Sequence, residues 1–379
     1  MSLATAAPTA SFDQAAGEFL DLSNELASII RSDNTALLSR ISMGEAAIET
    51  SHYWMEDQLN PNTAAESGTG IDGSTTSMSV VAGQGVRFKI GTLFKDNTAG
   101  KTEVMQVTAV STDALTIVRG YGSTTGETHA ASFPILIIAH TNQESQDAPA
   151  DESRIRTKVG NYTQIYSRGV NISYTLRAVK QAGVADEFAY QTAQRMKEIM
   201  REMDNTLING IKSADAGSDT SYRSSAGMIE MTSQVGGNYS TTSEALSPSV
   251  VNAGVKLIWD DGGEPDFILV GGKQKRAISA FDQAYRRKEY NSTDAGYVVD
   301  KFTSDLGYVL NVWVDPWMPD DTMIIGQSSR VKYMNLQNDA MRAEELAKTG
   351  RSWKAQVTGQ YTMEVRNAKE AFFFHNSLS

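Results

Sequence analysis

The sequence predicts a protein of the α+β class, and three features of its 379 residues lead to this prediction. Residues 353–367 alternate between apolar and polar side chains over a long run, as a half-buried strand requires. Residues 184–212 carry apolar side chains at steps of three and four, the spacing of one helix face. Residues 78–140 contain short alternating stretches separated by turn sequences, which is typical of an all-β module. We therefore expect a long helix, a long strand and a separate β module in one chain.

The predicted strand at 353–367 is longer than most strands in globular proteins. At about 3.3 Å per residue it would reach roughly 45 Å, whereas ordinary strands have about 5 to 6 residues. Its apolar face is expected to pack against the long helix, and Thr362 is expected on the opposite, polar face. A long helix packed on a long strand would make a flat plate, a shape suited to tiling a surface. The predicted contacts join Tyr361, Met363 and Val365 of the strand to Met196, Ile199 and Met203 of the helix.

Charge and composition exclude several classes of protein. The net charge of −11 argues against a dedicated nucleic-acid reader, because phosphate binding needs concentrated Lys and Arg. The absence of Cys removes disulfides, thiolate metal sites and cysteine nucleophiles. The longest apolar runs, such as "PILIIA" at 134–139, are far too short to cross a bilayer, and the opening residues lack a secretory pattern. We expect a soluble protein with no membrane partner.

The N-terminal part divides into an arm and an insertion. Residues 1–60 include "FDQAAGEFLDLSNELASII" and a second apolar stretch, neither of which could form a core alone, so we interpret them as an arm. Residues 61–153 are predicted to be a β-rich insertion bounded by linkers. The Gly, Ser and Thr content of 60–77 predicts one flexible linker, and 141–153 predicts the other. Strands such as "VRFKIG" and "EVMQVTAV" fill 78–140.

Residues 246–329 alternate between helix and strand patterns. Ser247 and Pro248 predict the N-cap and first residue of a helix that ends at Gly262. "DFILVGG" then predicts a strand, and "KQKRAISAFDQAYRRKEY" predicts a helix that continues to Tyr290. "VLNVWVDPWM" and "TMIIGQ" predict two further strands. The sequence therefore predicts a small α/β unit here.

Two glycine motifs resemble phosphate-binding sequences. "GTGIDG" at 68–73 matches the dinucleotide fingerprint, but that motif works only between a strand and a helix, so we interpret it as part of the linker. "ILVGGKQKR" places Gly271, Gly272 and Lys273 at a strand-to-helix turn, where a phosphate could bind. It lacks the P-loop spacing, and paired glycines commonly serve a tight turn alone. No cofactor is predicted.

No catalytic or metal-binding constellation emerges from the sequence. Ser329 and Lys332 fit S-x-x-K, but the companion motifs of that acyl-transfer family are missing. The histidines have no metal-ligand spacing, so they are expected to be ordinary surface or packing residues. We therefore predict no catalytic residue, no metal and no enzyme activity. The histidines are His52, His129, His140 and His375.

Basic clusters and tryptophans are the candidate intersubunit contacts. The clusters "SRIRTK" and "AYRRKEY" lie beside acidic residues, which favours solvated faces or intersubunit ion pairs over DNA contact. Large amphipathic aromatics on an arm and on a loop are common anchors between proteins, although burial in a core explains them equally well. The predicted contact residues are Trp54, Arg154, Arg156, Lys158, Arg286, Arg287 and Trp317.

The order of these segments resembles a known family. "IETSHYWMEDQLN" in the arm, "RTKVGNYTQIYSRGVNISYT" leading into "DEFAYQTAQRMKEIMREMDNTLINGI", and "YVVDKFTSDLGYVLNVWVDPWMPDDTMIIGQSSRVKY" followed by "YTMEVRNAKEAFFF" carry the resemblance. They resemble the major capsid protein of tailed bacteriophages, which has the Hong Kong phage-type fold shared with encapsulins. These patterns are diffuse, and the resemblance depends on their order.

The resemblance implies a domain for each segment. Residues 1–60 would be the N-terminal arm, and 61–153 would lie in the extended-loop region. Residues 154–180 would be the return segment of that loop. The peripheral domain would comprise 181–245 and 330–379, with the long helix as its spine, and 246–329 would be the axial domain. The β module at 78–140 departs from the minimal pattern of the family.

The resemblance also implies function and partners. The chain would assemble into hexamers and pentamers of an icosahedral shell around a double-stranded DNA genome, without sequence-specific DNA binding. Portal and scaffolding proteins, and a decoration protein, would be its partners, and it would be assembled in the host cytoplasm into the virion capsid. Two alternatives stay open: an encapsulin-like compartment shell, and a phage surface or tail protein whose β module binds carbohydrate through "RGYGSTTGETH".

Overall fold

The computed structural model describes residues 37–144, 153, 155–179, 186–218, 220–234, 237–281, 286–287, 301–347 and 350–379. The described chain separates into two compact units. The first contains the described residues of Met1–Trp54 and Lys158–Ser379, and the second is Met55–Thr157. The first apolar stretch of the predicted arm, at 12–30, lies outside the described residues, as does Arg154.

The described elements are few helices and many strands. The α-helices are α1 (Tyr174–Ala178), α2 (Glu187–Asn209), α3 (Met228–Thr232), α4 (Pro248–Asp260) and α5 (Gly272–Ser279). The first ten strands are β1 (Ser42–Met43), β2 (Ser51–Glu56), β3 (Thr63–Ala65), β4 (Ser77–Ser79), β5 (Thr92–Asp96), β6 (Val104–Ser111), β7 (Ala114–Val118), β8 (Pro134–His140), β9 (Thr157–Tyr162) and β10 (Gln164–Ser173). The remaining strands are β11 (Asn238–Ser240), β12 (Phe267–Val270), β13 (Arg286–Arg287), β14 (Lys301–Thr303), β15 (Val309–Val314), β16 (Met323–Gly326), β17 (Val331–Asn335), β18 (Arg342–Glu345), β19 (Ser352–Val365) and β20 (Phe372–His375).

The long predicted strand is present as β19, the centre of the first sheet. This sheet has the order β1-β17-β19-β10, and β18 also pairs with β19. β10 runs antiparallel to β19 from Gln164 opposite Tyr361 to Ser173 opposite Ser352. Because a strand between two partners has both edges satisfied, β19 can be far longer than an isolated strand.

One face prediction for β19 is wrong. Burial alternates near Ala355 and Val357, as a half-buried strand requires, but Thr362 is only 2% exposed rather than lying on a polar outer face. Its hydroxyl donates a hydrogen bond to the Tyr162 carbonyl at 2.9 Å. The Asn161 amide likewise donates to the Met363 carbonyl at 2.9 Å. The chain around β9 therefore covers the face that sequence alternation alone would leave to solvent.

Helix α2 lies along the first sheet. Asp186 caps it by accepting hydrogen bonds from the N–H groups of Phe188 and Ala189 at 2.9 and 3.4 Å. The helix ends at Asn209, short of the predicted end at 212, and Ile211 is 71% exposed beyond it. The end is set by Gly210, where an added Cβ would lie 2.5 Å from the Ser225 carbonyl.

The packing of α2 on β19 is partly displaced from the prediction. Tyr361 joins Ile199 and Met203 in one apolar cluster, as expected. Met363 and Val365 lie in a different cluster, which includes Leu207 and Ile208 near the end of the helix. The contact therefore falls about one turn further along α2, since residues four apart share a face. The helix-on-strand arrangement is present with a shifted register.

The second sheet of the first unit has the order β11-β20-β16-β12-β15-β14-β13. β12 pairs in parallel with β15 on one side and antiparallel with β16 on the other. All four residues of β12 are fully buried, as expected of a central strand covered on both faces. Helices α4 and α5 pack against this sheet around a core of Val, Ile, Leu and Phe side chains.

The second predicted helix of this region is shorter than expected. α5 ends at Ser279, where Phe281 turns into the core and packs edge-on against Phe302, with ring centroids 6.1 Å apart. Arg286–Arg287 is a strand paired with Lys301–Phe302, so the predicted helix through Tyr290 is wrong at this position. The free energy gained by burying the Phe281 ring outweighs the helix-forming tendency of the polar residues that follow it.

The second unit is a small closed β-barrel. Its strands have the order β3-β8-β5-β6-β7-β4. An isolated bridge between Glu66 and Val80 then joins the two end strands, with Ser67 N–H to Ser79 carbonyl at 2.9 Å and Val81 N–H to Ala65 carbonyl at 3.0 Å. Closure leaves no free sheet edge. The core contains Ala64, Ile71, Met78, Val80, Phe88, Phe94, Met105, Val107, Leu115, Ile117, Phe133, Ile135 and Ile137.

Two predictions for this unit are wrong. Residues 60–77 are not a flexible linker, because they supply strand β3 and bury Ala64 and Ile71 in the barrel core. "VRFKIG" is not a strand: Gly85–Arg87 is a turn of 3₁₀ helix, and the strand begins at Thr92. An added Cβ on Gly85 would lie 1.8 Å from the Thr112 carbonyl, a close approach that a regular side chain would prevent. Among the described residues, no helix has the length and apolar character needed to span a membrane.

Candidate functional site

The glycine-rich motif at 68–70 forms a nest of N–H groups around a carboxylate of its own chain. Glu66 is 1% exposed and accepts from the N–H groups of Gly68, Thr69 and Gly70 at 2.9, 3.1 and 3.2 Å, and from Ser132 N–H at 2.8 Å. Gly68 and Gly70 have φ of 117° and 66°, which favours glycine. Burial raises the pKa of Glu66, but these four donors outweigh it and hold the pKa below its usual value. The nest is therefore filled by the protein itself.

A buried chain of charges crosses the barrel. The side chain of His129 is fully buried, with Nδ1 2.7 Å from an Asp96 oxygen and Nε2 2.9 Å from a Glu103 oxygen. Arg119 continues the chain by donating to both Glu103 oxygens at 2.8 and 2.7 Å. Both ring nitrogens of His129 are therefore held by carboxylates, and Glu103 lies between His129 and Arg119.

Glu103 is the most heavily bonded member of this chain of charges. Besides the Arg119 and His129 contacts it accepts from the N–H groups of Gly120 and Glu127 at 2.9 and 2.7 Å. Burial raises the pKa of Glu103, but the bonds from Arg119, Glu127, His129 and Gly120 together lower the pKa to about 2. These hydrogen bonds connect the segment "RGYGSTTGETH", which the carbohydrate-binding alternative invokes, to the strands of the barrel.

A pair of buried carboxylates holds the arm in the first unit. Leu38 N–H donates to Asp204 Oδ1 of α2 at 2.8 Å, and Leu37 N–H donates to Asp315 Oδ2 at 3.3 Å. Asp315 also accepts from Trp317 N–H at 2.9 Å. Burial raises the pKa of Asp204 to about 7, and the neighbouring Asp315 charge adds to the rise. The two carboxylates together bind two consecutive backbone amides.

A cleft of about 660 Å³ lies between the arm and the first sheet. Its walls are arm residues 44–53 and side chains of β17 and β19. Within it His52 Nε2 is 3.2 Å from a Glu364 oxygen, and Arg366 contacts the other oxygen of Glu364. Burial raises the pKa of Glu364, but the His52 and Arg366 contacts hold it below its usual value. Ile48, in the arm wall of the cleft, is 81% exposed.

The predicted contact residues are spread over several elements. Trp54 is 6% exposed and lies 5.9 Å from His52 between ring centroids, so its side chain is part of a core. Trp317 is half-buried, and its carbonyl accepts from the Asn209 amide at 2.8 Å. Arg286–Arg287 lies in β13, at the end of the second sheet. The proposed contact of these residues with neighbouring subunits stays a prediction.

Two of the predicted residues lie on the surface. Arg156 Nε is 3.7 Å from Asp57 Oδ2, and both side chains are mostly exposed, at 70% and 62%. Lys158 Nζ lies 3.6 Å from the centre of the Tyr53 ring. Exposed pairs contribute only about 0–1 kcal/mol within one chain. These cations are therefore free to rearrange toward another partner.

Two of the four histidines, His129 and His375, differ from the prediction of ordinary surface or packing residues, whereas His140 is exposed. His129 and His375 are buried against acidic side chains, and His375 Nε2 is 3.1 Å from Glu244. His140 lies 2.8 Å from the Thr92 hydroxyl. In the part of the chain that the structure describes, no three His, Asp or Glu side chains are placed to hold a metal ion.

Sequence reasoning missed the buried carboxylates. For Glu66 a signal existed, because an acidic residue two positions before a Gly-x-Gly stretch can fill the nest that the glycines make. For the His129 network and for the Asp204 and Asp315 pair, no local pattern exists, since the partners are far apart in sequence.

The fold places the protein in a class. A long helix on a long-stranded sheet, followed by an α/β sheet, is the Hong Kong phage-type capsid fold, so the predicted fold class is confirmed. Residues 5–378 match the family described as SU10 major capsid protein, and the chain belongs to this family. It is therefore a structural capsid protein. No curated protein matches the sequence.

Solved structures share the fold at low sequence identity. The capsid of the empty GTA particle is 12% identical with a TM-score of 0.52, covering 99% of this chain and 100% of that chain. A structure described as Microbacterium phage Oxtober96 is 11% identical with a TM-score of 0.51, covering 97% and 98%. The holo-SrpI encapsulin from Synechococcus elongatus PCC 7942 is 12% identical with a TM-score of 0.41, covering 59% and 76%.

Proposed function

We propose that this chain is the major head protein of a tailed bacteriophage and assembles into hexamers and pentamers that close an icosahedral shell around double-stranded DNA. The match to a capsid family over 5–378 is the observation that carries this proposal. Membership of the family already implies self-association into a shell and a place in the virion capsid. The hexamers, the pentamers and the DNA are the proposed part.

The segments take the roles that the resemblance implies. Packing of α2 on β19 supports a peripheral domain formed by 181–245 and 330–379, and the core around α4 and α5 supports an axial domain at 246–329. The closed barrel supports an inserted β module within 61–153. Residues 1–60 would be the arm, and 154–180 the return segment of the extended loop.

The remaining partners follow from the role of a head protein. Portal and scaffolding proteins would set the start and size of the shell in the host cytoplasm, and a decoration protein would bind its outside. With a net charge of −11 the wall would not grip packaged DNA tightly or read its sequence. The protein would have no catalytic turnover and need no metal.

Negative-stain microscopy and nuclease protection test the proposal. The full chain would be expressed alone and with the neighbouring genes of its source, and the particles purified. Closed shells of fivefold and sixfold capsomers, containing nuclease-protected double-stranded DNA after infection, are the expected result. Shells that contain a protein cargo and no DNA would favour the compartment alternative instead. A protein that stays monomeric under every one of these conditions would contradict the proposal.

A further inference from the structure

Strand β10 has one open edge in the described part of the chain. It pairs with β19 along its whole length without a register shift, and no other described strand joins it. Tyr174 N–H donates to the Arg351 carbonyl at 3.2 Å, so position 174 is a hydrogen-bonded position of the β10–β19 pair. Hydrogen-bonded positions alternate along an antiparallel strand, so every second residue of β10 before Tyr174 bonds to β19. The residues between them direct their N–H and C=O groups to the open edge. The outward residues are Ile165, Ser167, Gly169, Asn171 and Ser173.

This edge lacks the usual protection against pairing. Natural proteins block open edges with Pro, Lys, bulges or covering segments. β10 contains no Pro, no Lys and no bulge, and its five outward residues are exposed. The one charged side chain of the strand, Arg168, is bound to Glu202 of α2 at 2.8 Å. The edge is therefore long, straight and close to neutral.

Gly169, at the middle of the edge, has no explanation among the residues that the structure describes. It does not have a positive φ, and an added Cβ would meet nothing within 4 Å. A glycine in a strand interior costs about 0.5–1 kcal/mol relative to Ala. Such a glycine commonly marks a place where another backbone approaches closely. A backbone that is absent from the isolated chain would account for it.

We propose that the open edge of β10 binds an extended segment of a second copy of this chain through main-chain hydrogen bonds. Alternating outward N–H and C=O groups match only another extended backbone. A second copy is the partner because the family builds its shell from copies of one chain. Each copy carries a net charge of −11, so a neutral edge lets two like-charged copies approach without strong repulsion. The proposal requires self-association alone and does not depend on DNA packaging.

Site-resolved hydrogen exchange on wild-type protein tests the pairing directly. In free subunits the inward amides of Tyr166, Val170 and Ile172 should exchange slowly and the outward amides quickly. In assembled shells the exchange of the outward amides of Ser167, Gly169 and Asn171 should slow by at least tenfold, so that every amide from Tyr166 to Ile172 is protected. Outward amides that exchange equally fast in shells and in subunits would overturn the proposal, while the shells themselves would still support the proposed function.

A matched pair of variants tests the same edge by assembly. Gly169→Pro removes one outward N–H and leaves the bonds to β19 in place, and the residue before it is already extended, as proline requires. Gly169→Ala keeps the N–H. The expected result is a threshold concentration for shell assembly at least tenfold higher for Gly169→Pro, with little change for Gly169→Ala. Equal thresholds for Gly169→Pro and wild type would overturn the proposal. If Gly169→Pro fails to fold, the wild-type exchange data decide.

Discussion

Substitution of His129 by Ala should loosen the β-barrel more than any single change at its surface. The His129 ring lies between Asp96 and Glu103, at 2.7 and 2.9 Å, and the His129 side chain is fully buried. Without it Asp96 has no basic partner among the described residues, while Glu103 keeps Arg119. Breaking a buried ion pair by removing one partner costs about 3–5 kcal/mol. Since about 1.4 kcal/mol is a factor of ten, barrel opening should become roughly 10²- to 4 × 10³-fold more frequent.

The assay is native-state hydrogen exchange of the barrel strands in the full-length subunit. This measurement reports local opening, which a melting curve of a chain with two compact units does not isolate. His140→Ala is the matched control, because His140 is also in the barrel but is exposed, and its ring is hydrogen-bonded to the neutral Thr92 hydroxyl at 2.8 Å. The control should change exchange by less than tenfold.

A double variant separates the charge from the packing. Combining His129→Gln with Asp96→Asn removes the unpaired carboxylate while it keeps polar groups that can bond to each other. Because the cost of the single change comes mainly from an uncompensated buried charge, the double variant should recover part of the protection. Equal exchange in His129→Ala and His140→Ala would refute the argument that the His129 ring holds the two buried carboxylates in place.

Three further predictions concern pH and the central strand. Burial and the neighbouring Asp315 charge raise the pKa of Asp204 in the folded state from 3.8 to about 7, so the folded state should lose stability as pH rises through this range. Asp204→Asn should be the more stable chain at pH 9, and parallel melting-temperature curves for the two chains would contradict this. The lowered pKa of Glu103 gives the opposite pH dependence of stability. Protection of the barrel amides from hydrogen exchange should hold at pH 6 and fall as pH drops from about 4.5 toward about 2. Loss of this protection above pH 5 would argue against the prediction. Met363→Lys should lower the free energy of unfolding by several kcal/mol, because it buries an unpaired charge. Thr358→Lys, on the outward face of the same strand, should change the free energy of unfolding by about 0.5 kcal/mol. Equal losses of the two variants in denaturant titrations would contradict the assigned faces.

The sequence predicts those elements whose pattern is local and long. α2 and β19 were predicted close to their observed bounds, because apolar residues at helical or alternating spacing require one face to be buried. The start of helix α4 was predicted from Ser247 and Pro248, which occupy its N-cap and its first position. In each case the residues that define the element are neighbours in sequence.

The errors occur where distant segments decide the outcome. Thr362 looked exposed because strand alternation cannot reveal that Tyr162 covers the second face. Residues 60–77 looked like a linker because their composition is polar, yet Glu66 satisfies their backbone from inside the turn. Compositional reasoning assumes that order must come from apolar burial. A buried carboxylate surrounded by N–H groups is another way to order a polar segment.

The first and last strands of the closed barrel are neighbours. Its first strand, β3, pairs with its last, β8, and Ile137 N–H donates to the Asn62 carbonyl at 2.7 Å. Paired strands lie about 4.8 Å apart, so the chain enters and leaves through a gap that a very short peptide could bridge. Two genetic crossovers, one on each side of codons 55–157, would therefore transfer the barrel whole or delete it cleanly. Head-protein genes can in this way gain, lose or exchange a complete domain in a single recombination event, while the strands that build the shell keep their sequence.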